Sequence, residues 1–215
     1  VFIERLSNLT KVTKSTTANL VFMQRQVQAF LPTDWGNFNI IAYATSPDDL
    51  TPHVALVHEK LDISKPVLVR IHSECMTGDV FHSRRCDCGE QLDKALELAA
   101  EQGGVVIYLR QEGRGIGLIN KLKAYNLQDK GFDTATANTH LGFDVDARQY
   151  DLAVEILHNL GIQKIRLLTN NPLKIEAIEH SGIEIIGREP LIIEPKKENA
   201  AYLRTKRELM GHLLK

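Results

Sequence analysis

The three cysteines of the chain, Cys75, Cys86 and Cys88, stand in the pattern C-x10-C-x-C. An odd number so tightly clustered makes a poor disulfide framework, and gathered thiolates are good ligands for zinc. A structural zinc site normally closes with four protein ligands, whereas three leave room for a water whose pKa the ion lowers towards neutrality. Free buried thiols, or a structural site completed by His72 or His82, are the bland alternatives, and spacing alone leaves structural and catalytic zinc open. The flanking segments HSECMTGD and SRRCDCGEQ incline the reading towards catalysis. Arg70, His72, Glu74, Asp79, Arg84 and Arg85 make them more polar than a structural site requires.

Two further segments have the composition of phosphate contacts. QEGRGIG sets three glycines between an expected strand and an expected helix, which allows close backbone approach at a helix N-terminus. Its spacing is neither the dinucleotide nor the P-loop fingerprint, and such loops also serve as plain tight turns. TNNPLK offers an Asn cap followed by Pro172, ordinary helix punctuation to which Thr169 and Lys174 add polar reach.

These residues must be positioned by a fold of mixed α/β (α+β) class. The runs VFMQRQVQA, FNIIAYA, HVALVHE and PVLVRIH are strand-like and separated by turn residues, so the N-terminal half reads as a β meander. Leu92, Ala95, Leu96 and Ala99 recur at helical spacing up to Gly103-Gly104, GVVIYLR reads as a buried strand, and 117–130 as a helix. A helix over 149–160, the strand KIRLLT and a C-terminal helix over 199–214 complete the alternation in one compact domain. Residues 1–26, polar and without periodicity, read as a poorly ordered N-terminal extension, leaving 27–215 as the functional domain.

With 215 residues, 43% of them hydrophobic, the chain can bury a full core without disulfides. Its 26 basic and 27 acidic residues nearly cancel, which argues against a generic nucleic-acid binder or a membrane-surface protein, so any polyanion must be held locally. No apolar run approaches the roughly 20 residues of a membrane span, and no secretory signal opens the chain, so the expected location is the cytoplasm.

RIHSECMTGDVFHSRRCDCGEQL resembles the zinc segment of the GTP cyclohydrolase II family, which commits GTP to riboflavin synthesis. YLRQEGRGIGLINKLKAYNLQDKG, DTATANTHLGFDVDARQYDLA and RLLTNNPLKIEAI resemble the family's later blocks, in order. Four blocks in register, spanning 27–215, are far more specific than any one motif. The resemblance implies a zinc-dependent enzyme that opens the guanine ring of GTP at C8, releases formate and pyrophosphate, and leaves a diaminopyrimidine nucleotide. It also implies a homodimer, magnesium travelling with the triphosphate, and neither nucleic acid nor membrane as partner. In two-domain relatives this half follows a dihydroxybutanone phosphate synthase, for which 26 residues are too few.

Carried over position by position, the resemblance places zinc on Cys75, Cys86 and Cys88. Nucleotide contacts fall on Arg70, His72, Ser73, Glu74, Gln91, Glu112, Gly113, Arg114, Thr134, Thr169 and Lys174. Tyr125 becomes the catalytic tyrosine, Asp146 a proton acceptor and Arg148 the proposed nucleophile. Ala147 departs from the pattern, which expects an acidic residue there. Glu112, with Gln91 in support, suits the N1 and N2 donors of guanine, since adenine has no N2 amine. A guanidinium is a poor nucleophile, so Arg148 has two readings: a covalent nucleophile that gives its proton to Asp146, or a clamp on phosphate charge. Rival functions are a related protein of pyrimidine catabolism or altered product, and a zinc-stabilised nucleic-acid module.

Overall fold

The computed structural model describes residues 23–214. Of the expected N-terminal extension, residues 1–22 lie outside the described residues, while Gln24 to Gln26 open the first strand. Strands β1 (Gln24–Thr33), β2 (Gly36–Ala44) and β3 (His53–His58) form an antiparallel meander. The fourth run, β4 (Val67–Ser73), leaves the meander and lies between two parallel neighbours. Next come the short helix α1 (Met76–Asp79), α2 (Cys88–Gln102), β5 (Val105–Leu109), a 3-10 turn at Glu112–Gly115, and α3 (Gly117–Gln128). Helices α4 (Thr134–His140) and α5 (Asp151–Asn159), strand β6 (Lys164–Leu168), helix α6 (Pro172–Glu179), strand β7 (Glu184–Glu189) and helix α7 (Ala200–Glu208) finish the order.

The seven strands make one sheet in the order β1-β2-β3-β5-β4-β6-β7, with β5, β4, β6 and β7 mutually parallel. β3 meets β5 antiparallel, which joins the meander to the parallel set. Such a parallel set needs cover on both faces. Leu68 and Val106 pack with Ala95, Leu96 and Ala99 of α2 on one side. Val69, Ile71, Ile107 and Leu167 pack with Ala153, Ile156 and Leu157 of α5 on the other. The period of two along β4 then turns Arg70 and His72 to the α2 side with Leu68. From β4 the chain crosses to β5 on one side and later to β6 on the other, so the carboxyl ends of these three strands meet at a topological switch point, where open α/β sheets bind ligands.

The helix periodicities translate into α2, α3 and α5 with bounds shifted by up to two residues. The C-terminal helix ends at Glu208 rather than running to Leu214, because Gly211 adopts a left-handed φ of 64° and the chain turns back over the body. Strand β7 and helix α4 are additional to the expected elements. No helix among the described residues is long and apolar enough to cross a membrane.

The step from α2 to β5 shows how tightly the site-bearing strands are set. Gly103 closes α2 in the left-handed conformation with φ 69°, and a Cβ at Gly104 would stand 2.7 Å from the Leu68 carbonyl oxygen. Gly104→Ala is therefore expected to destabilise the protein by about 1–3 kcal/mol, read as a lower urea midpoint at unchanged m value.

Candidate active site

The loops leaving β4, β5 and β6 converge on one pocket, whose far wall is made by α3, α4 and the C-terminal segment. Every site residue expected from the sequence lines it except Asp146, which stands behind Arg148 and holds it.

At one end lie the three cysteines, their sulfurs all within 4.8 Å of one another and Cys75 Sγ 3.7 Å from Cys86 Sγ. The turn of α1 brings Cys75 round to Cys86 and Cys88, and Gly78 sits inside that turn because nothing larger fits. A Cβ there would be 3.0 Å from Cys86 Sγ and 3.2 Å from Cys75 Sγ. Hydrogen bonding from Cys86 and Cys88, helped by the Lys121 ammonium 3.0 Å away, holds the Cys75 thiol far below its ordinary pKa. Sharing that one negative charge pushes Cys86 up to about 11 and Cys88 well above its usual range. Three converging sulfurs that can share only one negative charge between them are a donor set suited to a thiophilic dication. No further His, Asp or Glu joins the three as a ligand among the described residues, so the set is the three-thiolate type.

Behind the triad, Asp79 is a hub. Its carboxylate accepts from the Cys75 backbone N–H at 2.9 Å and the Tyr108 hydroxyl at 2.8 Å, and pairs with His72 Nε2 at 3.1 Å. His72 is thus tied to the support of Cys75, and burial keeps its pKa low. Beside the triad, Tyr125 Oη is 3.2 Å from Thr77 Oγ1, and burial raises its pKa. Lys121, one helical turn before Tyr125 on α3, also donates to Glu112 Oε1 at 2.8 Å. The Gly113 and Met76 N–H groups complete the hold on that carboxylate, each at 2.6 Å. Glu74 pairs with Arg110 at 3.1 Å, and burial raises its pKa.

The other end gathers buried cations. Arg70 donates to the Leu168 carbonyl at 3.2 Å and to Gln91 Oε1 at 2.6 Å, while its Nε, also buried, has no partner among the described residues. Burial lowers its pKa only to about 10, so it remains charged. Gln91 passes the chain on to Asp87 at 2.5 Å, and Asp87 accepts from Lys206 of α7 at 2.8 Å. Lys174 donates to the Ile71 carbonyl at 2.8 Å; burial, then Arg70, Arg148 and Lys206, drive its pKa well below the usual range. Thr169 and the cap residue Asn171 lie buried at the start of α6, as their sequence context implies. Thr134 opens α4 after its cap Asp133.

Arg148 gives Nε to Asp146 Oδ1 at 2.7 Å and Nη2 to the other carboxylate oxygen. Burial opposes both charges, yet the pairing outweighs it, raising the pKa of Arg148 and lowering that of Asp146. The two are therefore an ion pair. Ala147 contributes through its backbone, donating to the Arg114 carbonyl at 3.1 Å.

Sequence reasoning missed Lys121, Tyr202, Lys206 and His212, all of which line the pocket. Three of them had a readable signal, since Lys121 with Tyr125 and Tyr202 with Lys206 stand at i, i+4, the spacing that shares a helix face.

Comparison with known proteins agrees with this geometry. Residues 24–190 match the family model described as GTP cyclohydrolase II. A GTP cyclohydrolase-2 of Buchnera aphidicola subsp. Schizaphis graminum is 54% identical over 188 residues, covering 87% of this chain and 95% of its own length. The riboflavin biosynthesis protein RibBA of Chlorobium phaeovibrioides is 53% identical over 193 residues, 89% of this chain and 47% of its own. A RibBA of Bacillus cereus is 53% identical over 191 residues, with 88% and 48% covered. The chain thus spans about half the length of these RibBA relatives.

Gly78→Ala presses on the sulfurs without replacing a ligand. It is expected to weaken zinc binding at least about tenfold, measured on the folded protein by competition with a chromophoric chelator, beside an overpacking cost of about 1–3 kcal/mol in the metal-free protein. Unchanged affinity would show that the triad does not bind the ion as a unit.

Proposed function

The chain belongs to the GTP cyclohydrolase II family, and on that premise we propose that it hydrolyses GTP, opening the guanine ring at C8 and releasing formate and pyrophosphate. The product is a diaminopyrimidinone nucleotide destined for riboflavin synthesis. The observation that carries the reading is a single pocket with a thiolate triad at one end and buried cations at the other. A purine triphosphate needs both ends together. Residues 27–215 are the catalytic unit in this reading, preceded by the N-terminal extension and acting as a homodimer in the cytoplasm.

At the base end, Cys75, Cys86 and Cys88 would hold zinc, which when bound supplies the acidity that makes water a competent nucleophile near neutral pH. Tyr125, kept protonated by burial, donates a hydrogen bond to the ring or to the attacking water. Glu74, with its raised pKa, passes protons. Lys121 and two backbone N–H groups fix Glu112, leaving further carboxylate lone pairs for the N1 and N2 donors of guanine. Gln91 spends both polar ends on Arg70 and Asp87, and so braces the phosphate end instead of reading the base.

At the phosphate end, Arg70 and Arg148 bring buried charge to the triphosphate, where it is most effective, and Lys174 regains its charge as the phosphate offsets the cations that depress its pKa. Magnesium accompanies the substrate with phosphate and water as its main ligands, because Asp87 and Asp146 are already engaged by Lys206, Gln91 and Arg148. The ion pair favours Arg148 as a charge clamp: a covalent route would move a proton from a guanidinium with a raised pKa to a carboxylate with a lowered one.

Incubation with GTP and magnesium should yield formate, pyrophosphate and a diaminopyrimidine in equal amounts; their absence with zinc-loaded protein would sink the proposal. Tyr125→Phe should lower kcat for formate release about 100-fold while affinity for a non-hydrolysable GTP analogue stays within about threefold. Arg148→Lys should keep appreciable pyrophosphate release and Arg148→Ala should lose it. Acid-labile label from α-labelled GTP trapped on wild-type protein, and absent from Arg148→Ala, would instead establish the covalent route.

A further inference from the structure

The C-terminal segment lies beyond the residues matched by the family model, yet it forms part of the pocket wall. It is anchored along its length. Asn199 reaches the Cys86 carbonyl at 3.5 Å, Lys206 binds Asp87 at 2.8 Å, and the Leu213 N–H donates to the Asn170 carbonyl at 2.8 Å. The segment therefore runs as a strap from the cysteine loop to the loop after β6. His212 sits on the strap between the last two anchors, its own N–H bonded to the Lys206 carbonyl at 3.0 Å.

We propose that His212 is a substrate-binding residue that contacts the phosphate chain of the nucleotide. Its imidazole lines the pocket, and its Nδ1 is buried without a hydrogen-bond partner among the described residues. A buried, unpaired ring nitrogen is costly, and a ligand is the natural means of satisfying it. The surroundings select the ligand's charge. Lys206 of α7, Arg148 of the loop before α5 and Lys174 of α6 line the same pocket and act on the ring electrostatically. Burial first, and then these three basic groups, push its pKa down to about 4; the Met210 backbone acts in the opposite sense through a contact outside hydrogen-bond geometry, so Nδ1 stays unpaired. Asp87 and Asp146 pair with Lys206 and Arg148, which leaves Lys174 as the basic group of these three without a carboxylate partner among the described residues. A neutral or cationic ligand would do nothing for Lys174, whose pKa burial and its cationic neighbours depress, whereas a polyphosphate restores its charge and allows the ring to protonate and donate.

Phosphate as the ligand rests on the reading of the pocket as a GTP site, so the test separates the two. The whole chain, zinc-loaded, is titrated calorimetrically with a non-hydrolysable GTP analogue, with guanosine and with inorganic tripolyphosphate. His212→Ala is expected to weaken the analogue and tripolyphosphate at least about tenfold and guanosine less than about twofold. His212→Asn, whose amide N–H falls near the place of Nδ1, should recover part of the loss. Because both ligands titrate the same folded fraction, the ratio of analogue to guanosine affinity is unaffected by partial unfolding. Equal loss for guanosine and analogue, or no loss for either, would overturn the assignment while leaving the GTP reading intact. If wild-type protein binds tripolyphosphate in a His212-dependent way but neither guanine ligand, the GTP reading fails and the His212 assignment stands.

Discussion

Four side chains from three parts of the chain form one continuous line of hydrogen bonds, Lys206 to Asp87 to Gln91 to Arg70, and the site depends on it. Asp87 is 1% exposed and Arg70 6%. A charge at that depth is expensive unless its partners are all in place. The line supplies them in sequence: Asp87 receives Lys206 and Gln91, and Gln91 in turn orients Arg70, whose second amine is tied to the Leu168 carbonyl. Since Asp87 lies between Cys86 and Cys88, the same bonds that aim a cation into the pocket opposite the triad also fix the loop that carries two of the sulfurs. The two ends of the pocket are therefore one mechanical unit.

Asp79 plays the matching part for the remaining sulfur. Its carboxylate gathers the Cys75 backbone, His72 and Tyr108, so the position of Cys75 is set by strands β4 and β5 as well as by the turn of α1. His72 and Tyr108 stack with ring centroids 5.5 Å apart, so the two side chains that hold Asp79 also pack on each other. The resemblance assigns His72 to the nucleotide. In the structure its Nε2 faces Asp79, which makes support of Cys75 the contact the geometry displays.

How far the sequence could be read depended on the range of the interactions involved. Local signals carried well: the periodicity of Leu92, Ala95, Leu96 and Ala99 describes α2, and Asn171 with Pro172 marks the start of α6. The clustering of Cys75, Cys86 and Cys88 was also legible, because their approach needs only one short turn and a loop. What escaped was long-range. Nothing local shows that β5 inserts between β3 and β4, since strand order is decided by which crossover buries α2 and α5 on opposite faces. β7 was missed because its residues alternate only between exposed and half-buried, as suits a sheet edge, and so give little apolar contrast. Lys206 and Asp87 are 119 positions apart, and their pairing depends on where α7 docks.

The turn after β5 shows why a departure from the family pattern at Ala147 leaves the site intact. Gly113, Arg114 and Gly115 have φ of 62°, 63° and 92°, three successive residues in the left-handed region, which for the arginine costs about 1–3 kcal/mol. That strain is held in place from outside. The Ala147 N–H donates to the Arg114 carbonyl, and a Cβ on Gly115 would stand 3.2 Å from the Ala147 carbonyl carbon, so the two backbones are nearly in contact. The strained turn sends Glu112 towards the triad and Arg114 towards the Val145 carbonyl and the Tyr202 ring. What this contact needs from position 147 is an N–H and close backbone approach. Asp146 and Arg148 bond to each other across the intervening residue with no help from its side chain. An alanine there preserves the turn and the ion pair together.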